Sequence, residues 1–136
     1  MSLERFVEAQ APVYDQALDE LRAGDKRSHW MWFVFPQLAG LGRSPTAQRF
    51  GIQGREEALA YLDHPVLGAR LLECCDVLVH LDTHDPVSVL GLVDALKLRS
   101  SMTLFQAVAP GVALFGEVLD RYYKGEPDPM TLQLLA

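Results

Sequence analysis

Cysteine is scarce. The chain has two in 136 residues, Cys74 and Cys75, and they are adjacent. Neighbouring cysteines do not readily close a disulfide with each other, and a lone pair lacks the ligand spacing of a zinc site. A disulfide-stapled secreted scaffold is therefore excluded, and reduced thiols point to a cytoplasmic protein. Positive charge is also in short supply: 12 Lys and Arg stand against 18 Asp and Glu, a net charge of -6. That balance argues against nucleic acid as a partner, which needs a basic face, and against adsorption to anionic membranes. No apolar run approaches the roughly 20 residues that would span a bilayer. The opening MSLERFVEAQ is amphipathic from its start and does not read as a signal peptide. The chain lacks a G-x-G-x-x-G fingerprint, a Walker loop and a G-x-S-x-G elbow, so no motif announces dinucleotide, P-loop or serine-hydrolase chemistry. No repeat, low-complexity tract or linker divides it.

What is present is ordinary globular material, 49% apolar and 22% charged. A chain of this length buries about two-thirds of its unfolded surface and needs no metal staple. The periodicities predict an all-α fold, residues 1–136 forming a single compact domain of about seven or eight short helices. Leu3, Phe6 and Val7 mark one stripe and Val13, Ala17, Leu18 and Leu21 another, with a break near Pro12. Ser44-Pro45, Asp85-Pro86 and Asp128-Pro129 each pair a capping side chain with a proline suited to the first helical position. Ala58, Leu59 and Leu62 are expected to face inward on one helix, and Leu67, Leu71, Cys74, Leu78 and Leu81 trace the inner face of the next. Met102, Phe105 and Ala109 lie on one side of a helix ending before Pro110, and Phe115, Val118, Leu119 and Tyr122 form a further stripe.

SHWMWFVFPQ, residues 28–37, is the most unusual stretch: six apolar residues from Trp30 to Phe35, four of them aromatic, including both tryptophans. Its length fits a strand or a short buried helix. With no second convincing strand to pair with, Ser28 as a cap and Pro36 as a stop, a short helix is expected. Together with RFVEAQAPVYDQAL, GLGRSPTAQRFGI, AYLDHPVLGARL, LKLRSSMTLF and LDRYYKGEPDPMTLQLL, this stretch resembles the bacterial domain-of-unknown-function family eighteen-ten, some of whose members carry the label calpastatin. The resemblance covers nearly the whole chain. It implies a small helical fold and carries no activity with it. Nothing here resembles the disordered, repetitive protease-inhibitor segments to which that label refers.

Each candidate site has a plain structural reading beside the functional one. The aromatic run is core-building material, since each such side chain buries roughly 150–250 Å². Its polar ends, His29 and Gln37, are where a cleft would find hydrogen-bonding groups, with Trp30 and Trp32 as an aromatic wall. In LKLRSSMTLF, Ser100 or Ser101 reads as a helix cap; with Lys97 and Arg99 just before it, the free N–H groups would make an anion site. Arg43 beside Ser44 is a second such corner. His80, Asp82, His84 and Asp85 lie close in sequence but point to different sides, so no metal site is expected, and no cofactor is implied.

The leading expectation is a pocket for a small anionic or nucleotide-like ligand, built from His29, Trp30, Trp32, Gln37, Arg43, Ser44, Lys97, Arg99, Ser100 and Ser101. It requires residues 29–37 and 97–101 to meet in space. The alternatives are a hydrolase or glycosidase at the same place, with His29 moving the proton, and a helical protein–protein module presenting an apolar patch near Tyr122, Tyr123 and MTLQLLA.

Overall fold

The computed structural model describes residues 3–136. Among the described residues ten helices follow one another: α1 (Glu4–Gln10), α2 (Tyr14–Arg22), α3 (Met31–Val34), α4 (Pro45–Phe50), α5 (Arg55–Asp63), α6 (Leu67–His80), α7 (Pro86–Leu90), α8 (Leu92–Val108), α9 (Ala113–Tyr123) and α10 (Pro129–Leu135). The all-α expectation holds, with seven of the ten helices reaching seven residues or more. The extended backbone pairing among the described residues is one isolated parallel bridge, Leu38 with Ile52, beside α4.

The cap-plus-proline starts form as the sequence predicts. The side chains of Ser44, Asp85 and Asp128 accept from the N–H groups of Ala47, Val87 and Thr131, satisfying donors that a helix start leaves open. The break near Pro12 separates α1 from α2.

Three expectations need correction. Ser28 does not cap α3; the N-cap is Trp30, with no side-chain cap, and Ser28 bonds Glu20 instead. On α5 Ala58 and Tyr61 are buried and Leu62 packs half-buried against the core, as expected for Ala58 and Leu62, whereas Leu59 is 41% exposed. The larger ring takes the core position. The largest difference is α8, which begins at Leu92, so Ser100 and Ser101 lie within the helix and cap nothing. Ser100 and Thr103 donate back to the carbonyls of Leu96 and Arg99, the usual outlet for a hydroxyl inside a helix.

Helices α6 and α8 are the central pair. Helix α8 packs on α5, α7, α9 and α10, and α6 packs on α2, α5 and α9. Helix α6 is brought so close to the end of α5 that a Cβ on Gly68 would lie 1.9 Å from the Leu62 carbonyl oxygen. A chain of rings crosses the interior, Phe33–Phe50–Phe6–Tyr61–Phe105–Phe115, with successive centroids 5.1–5.7 Å apart. Such pairs contribute roughly 0.5–1.5 kcal/mol each beyond the area they bury.

The aromatic run supplies one end of this core. Trp30, Met31, Val34 and Phe35 are buried, and Trp32 and Phe33 are half-buried. Its backbone is tied down by Gln10, which is buried in α1. The Gln10 amide donates to the Phe33 carbonyl (2.6 Å) and to the Tyr61 hydroxyl (3.0 Å), and its oxygen accepts from Arg70 (3.3 Å). This buried amide has both ends satisfied, as a polar group in a core requires.

Candidate functional site

Three segments distant in sequence meet beside the aromatic run. The first is the loop of residues 25–30, clamped by Glu20 of α2. One oxygen of this carboxylate accepts from the N–H groups of Arg27 (2.8 Å) and Ser28 (3.0 Å) and from the Trp30 indole (2.9 Å); the other accepts from the Ser28 hydroxyl (2.7 Å). Burial pushes this carboxyl up, but the hydrogen bonds from Arg27, Trp30 and Ser28 outweigh it and hold it at about 2. The loop is also tied to α7, where the Val89 carbonyl accepts from the Lys26 N–H (2.8 Å).

The second segment is the start of α8. Gly91, at φ 87°, turns the chain directly from α7 into α8 in a conformation that side chains resist. Asp94 then sits in the first helical turn, where an acid is favoured, and Lys97 follows one turn later. The Asp94 carboxylate is shared by two ammonium groups, Lys26 Nζ at 2.8 Å and Lys97 Nζ at 3.2 Å. Each lysine also lies over a tryptophan. Lys97 Nζ is 3.8 Å from the centroid of Trp32, and Lys26 Nζ is 5.2 Å from that of Trp30. Cations over indole faces gain from the ring quadrupole, more so when water is excluded. The side chains of Lys26, Asp94 and Lys97 are 8%, 17% and 17% exposed. With His29 they line a recess of about 70 Å³ between the two indoles.

The third segment is α10 and its cap. Asp128 accepts from the N–H and hydroxyl of Thr131 and from Ser100 of α8 (3.3 Å). A groove of about 370 Å³ runs between α3, α8 and α10 and shares Trp32 and Lys97 with the recess. Gln37, Ser100 and Asp128 give it polar contacts. Leu41, Val93, Leu96 and Met130 give it apolar walls. Val93, Leu96 and Met130 are 64%, 60% and 53% exposed, unusual values for large apolar side chains grouped at one place.

Residues 29–37 and Lys97 with Ser100 therefore do meet. His29, Trp30, Trp32 and Lys97 line the recess, and Trp32, Gln37, Lys97 and Ser100 line the groove. The remaining sequence candidates lie elsewhere. Arg99 donates to the carbonyls of Glu126 (3.0 Å) and Pro127 (2.9 Å) and thereby holds the turn before α10. Ser101 is fully buried, its hydroxyl without a partner. Arg43 and Ser44 are exposed at the start of α4, where Ser44 serves as the cap. The anion corner expected at Ser100 and Ser101 is absent because no helix starts there. Of the apolar patch expected around Tyr122, Tyr123 and MTLQLLA, Tyr122 is buried, its hydroxyl donating to the Leu78 carbonyl, whereas Met130, Leu132 and Leu134 are exposed.

Lys26, Asp94, Leu41, Val93, Leu96, Asp128 and Met130 were not anticipated as part of the site. The spacing of Asp94 and Lys97 is a readable helical pair, but nothing in the sequence connects Lys26 to them. A hollow of similar size, about 380 Å³, lies over the start of α5. Its charged groups are the acids Glu56 and Glu57, and Glu57 is paired with Arg5, so it does not suit an anion. No group of three or more His, Cys, Asp or Glu suited to a metal ion occurs among the described residues, and no helix among them is long and apolar enough to cross a membrane.

Comparison with known proteins adds a family and a fold. No curated protein matches the chain. The crystal structure of the conserved hypothetical protein Rv1873 from Mycobacterium tuberculosis is 52% identical to it, covers 98% of this chain and 95% of its own, and superposes with a TM-score of 0.96. The family model described as "Protein of unknown function (DUF1810)" matches residues 1–135. With a match over almost its full length, the chain belongs to the DUF1810 family.

Proposed function

We propose that the groove between α3, α8 and α10 binds a small anionic ligand. Its charged group is held at Lys97, and its body lies along Trp32 and the apolar walls. The supporting observation is the convergence of Trp32, Gln37, Lys97 and Ser100 in one groove, with the Lys97 ammonium 3.8 Å from the Trp32 ring centroid. A concave, mainly apolar surface with a few convergent polar groups is the ordinary form of a small-molecule site. A hydrolase or glycosidase reading has less support. His29 makes no hydrogen bond among the described residues, and the acid beside it, Asp94, is already shared by two lysines.

The test is thermal unfolding against nucleotides, sugar phosphates, NAD-related compounds and simple carboxylates. A ligand at a hundred times its dissociation constant stabilises the fold by about 2.7 kcal/mol. The stabilisation is expected to vanish in Lys97→Ala and to persist in Arg99→Ala, whose guanidinium serves the turn before α10. A silent panel, or a hit indifferent to Lys97→Ala, overturns the reading.

The exposure of Leu92, Val93 and Leu96, at 67%, 64% and 60%, favours one second reading, a protein contact through the same face. Concentration-dependent association seen by X-ray scattering and abolished by Leu92→Ser would support it.

A further inference from the structure

Two nearly buried cations share one carboxylate in the recess. Lys26, Lys97 and Asp94 together leave one positive charge uncompensated. Each ammonium carries three N–H donors, and Asp94 is the hydrogen-bonding or ion-pairing partner of both among the described residues. Burying a charge without full compensation is costly, so a recess that holds one is preorganised for an anion. Its walls restrict which anion. The indole faces of Trp30 and Trp32 already carry the lysines, and a ring face repels negative charge. The volume of about 70 Å³ is about that of two waters at roughly 30 Å³ each, enough for a carboxylate.

We infer that the recess is a monoanion subsite, taking a carboxylate or another singly charged oxyanion and discriminating against phosphate monoesters. One negative charge brings the Lys26–Asp94–Lys97 group to neutrality. A second would be left among indole faces and beside Asp94. This rests on the proposed groove, since the recess shares Trp32 and Lys97 with it: the head of the ligand enters the recess and its body lies in the groove.

The two tryptophans of the chain both line the recess, so intrinsic fluorescence reports its occupancy. The probes are acetate, benzoate and phenyl phosphate, the last a dianion at pH 8. In the wild type, benzoate is expected to bind roughly tenfold more tightly than phenyl phosphate. Asp94→Asn raises the uncompensated charge by one and reverses that order. Lys26→Met keeps the aliphatic stem against Trp30 and weakens acetate and benzoate by roughly tenfold, with circular dichroism confirming the fold. Equal or tighter phenyl phosphate binding in the wild type, or an order unchanged by Asp94→Asn, overturns the subsite. If acetate binds as expected but benzoate gains nothing over it, the subsite stands and the groove reading falls. If benzoate binding depends on Leu96 (lost in Leu96→Ser) but ignores Lys26→Met, the groove stands and the subsite falls. No response to any probe overturns both.

Discussion

Replacing Glu20 by glutamine leaves the shape of the side chain and removes its charge, at the point where one carboxylate holds the loop of residues 25–30 and the Trp30 indole. The native carboxyl sits at about 2 rather than 4.5. That difference corresponds to about 3.4 kcal/mol between its protonation states before screening. Solvent reaching this half-buried group reduces the effect to about 1.5 kcal/mol. With unfolding entropy near 2.1 cal/mol/K per residue, the loss is a fall of about 5 °C in Tm for a chain of this size. The sign in pH follows from the direction of the shift. A carboxyl depressed in the folded state contributes its full stability above the unfolded value, and the contribution fades as pH falls from about 5 towards about 2. Urea denaturation of wild type and Glu20→Gln at pH 7, 5, 4 and 3 measures the gap directly. It is expected to be widest at pH 7 and to narrow steadily in acid. A gap that stays constant from pH 7 to pH 3, or widens, would refute the claim that an ionised Glu20 accepts these hydrogen bonds.

Gly68→Ala would drive a Cβ into the Leu62 carbonyl at 1.9 Å. Backbone must move, and a loss of about 3 kcal/mol or more is expected in chemical denaturation. Burial pushes the Cys74 thiol up to about 12, and burial with Cys74 alongside pushes Cys75 well above its ordinary value. A disulfide reagent at pH 8 is therefore expected to find no reactive thiol in the native protein and both in urea, since the thiolate is the reacting form.

The helix starts at Ser44-Pro45, Asp85-Pro86 and Asp128-Pro129 were legible because cap and first position are local chemistry: a side-chain oxygen reaching an N–H two or three residues on. The start of α8 was not. Gly91 offers no capping side chain, and Leu92, Val93 and Leu96 face outward, so no amphipathic stripe marks the first two turns. Without that start, Ser100 looked like a cap. On α5 the pattern pointed to Leu59, and it is packing against Phe6 and Phe105 that gives the core position to Tyr61. The site was half legible for the same reason. Trp32 and Lys97 stand out as residue types. Lys26 becomes part of the site only because Glu20 and Val89 fold its loop back onto α8, a tertiary event with no local signature.

The buried amide of Gln10 has a consequence for the order in which the chain assembles. Its partners are 23, 51 and 60 residues away in sequence. Closing each of those loops costs entropy before any bond returns it, so this knot ties late, after α5 and α6 have found each other. Until then the Phe33 carbonyl has the Tyr61 hydroxyl (3.3 Å) as its side-chain donor, and the aromatic turn that carries Trp32 is held at one point fewer. Helix α1 is thus among the last to be secured, and the walls of the groove take their final shape only when it docks.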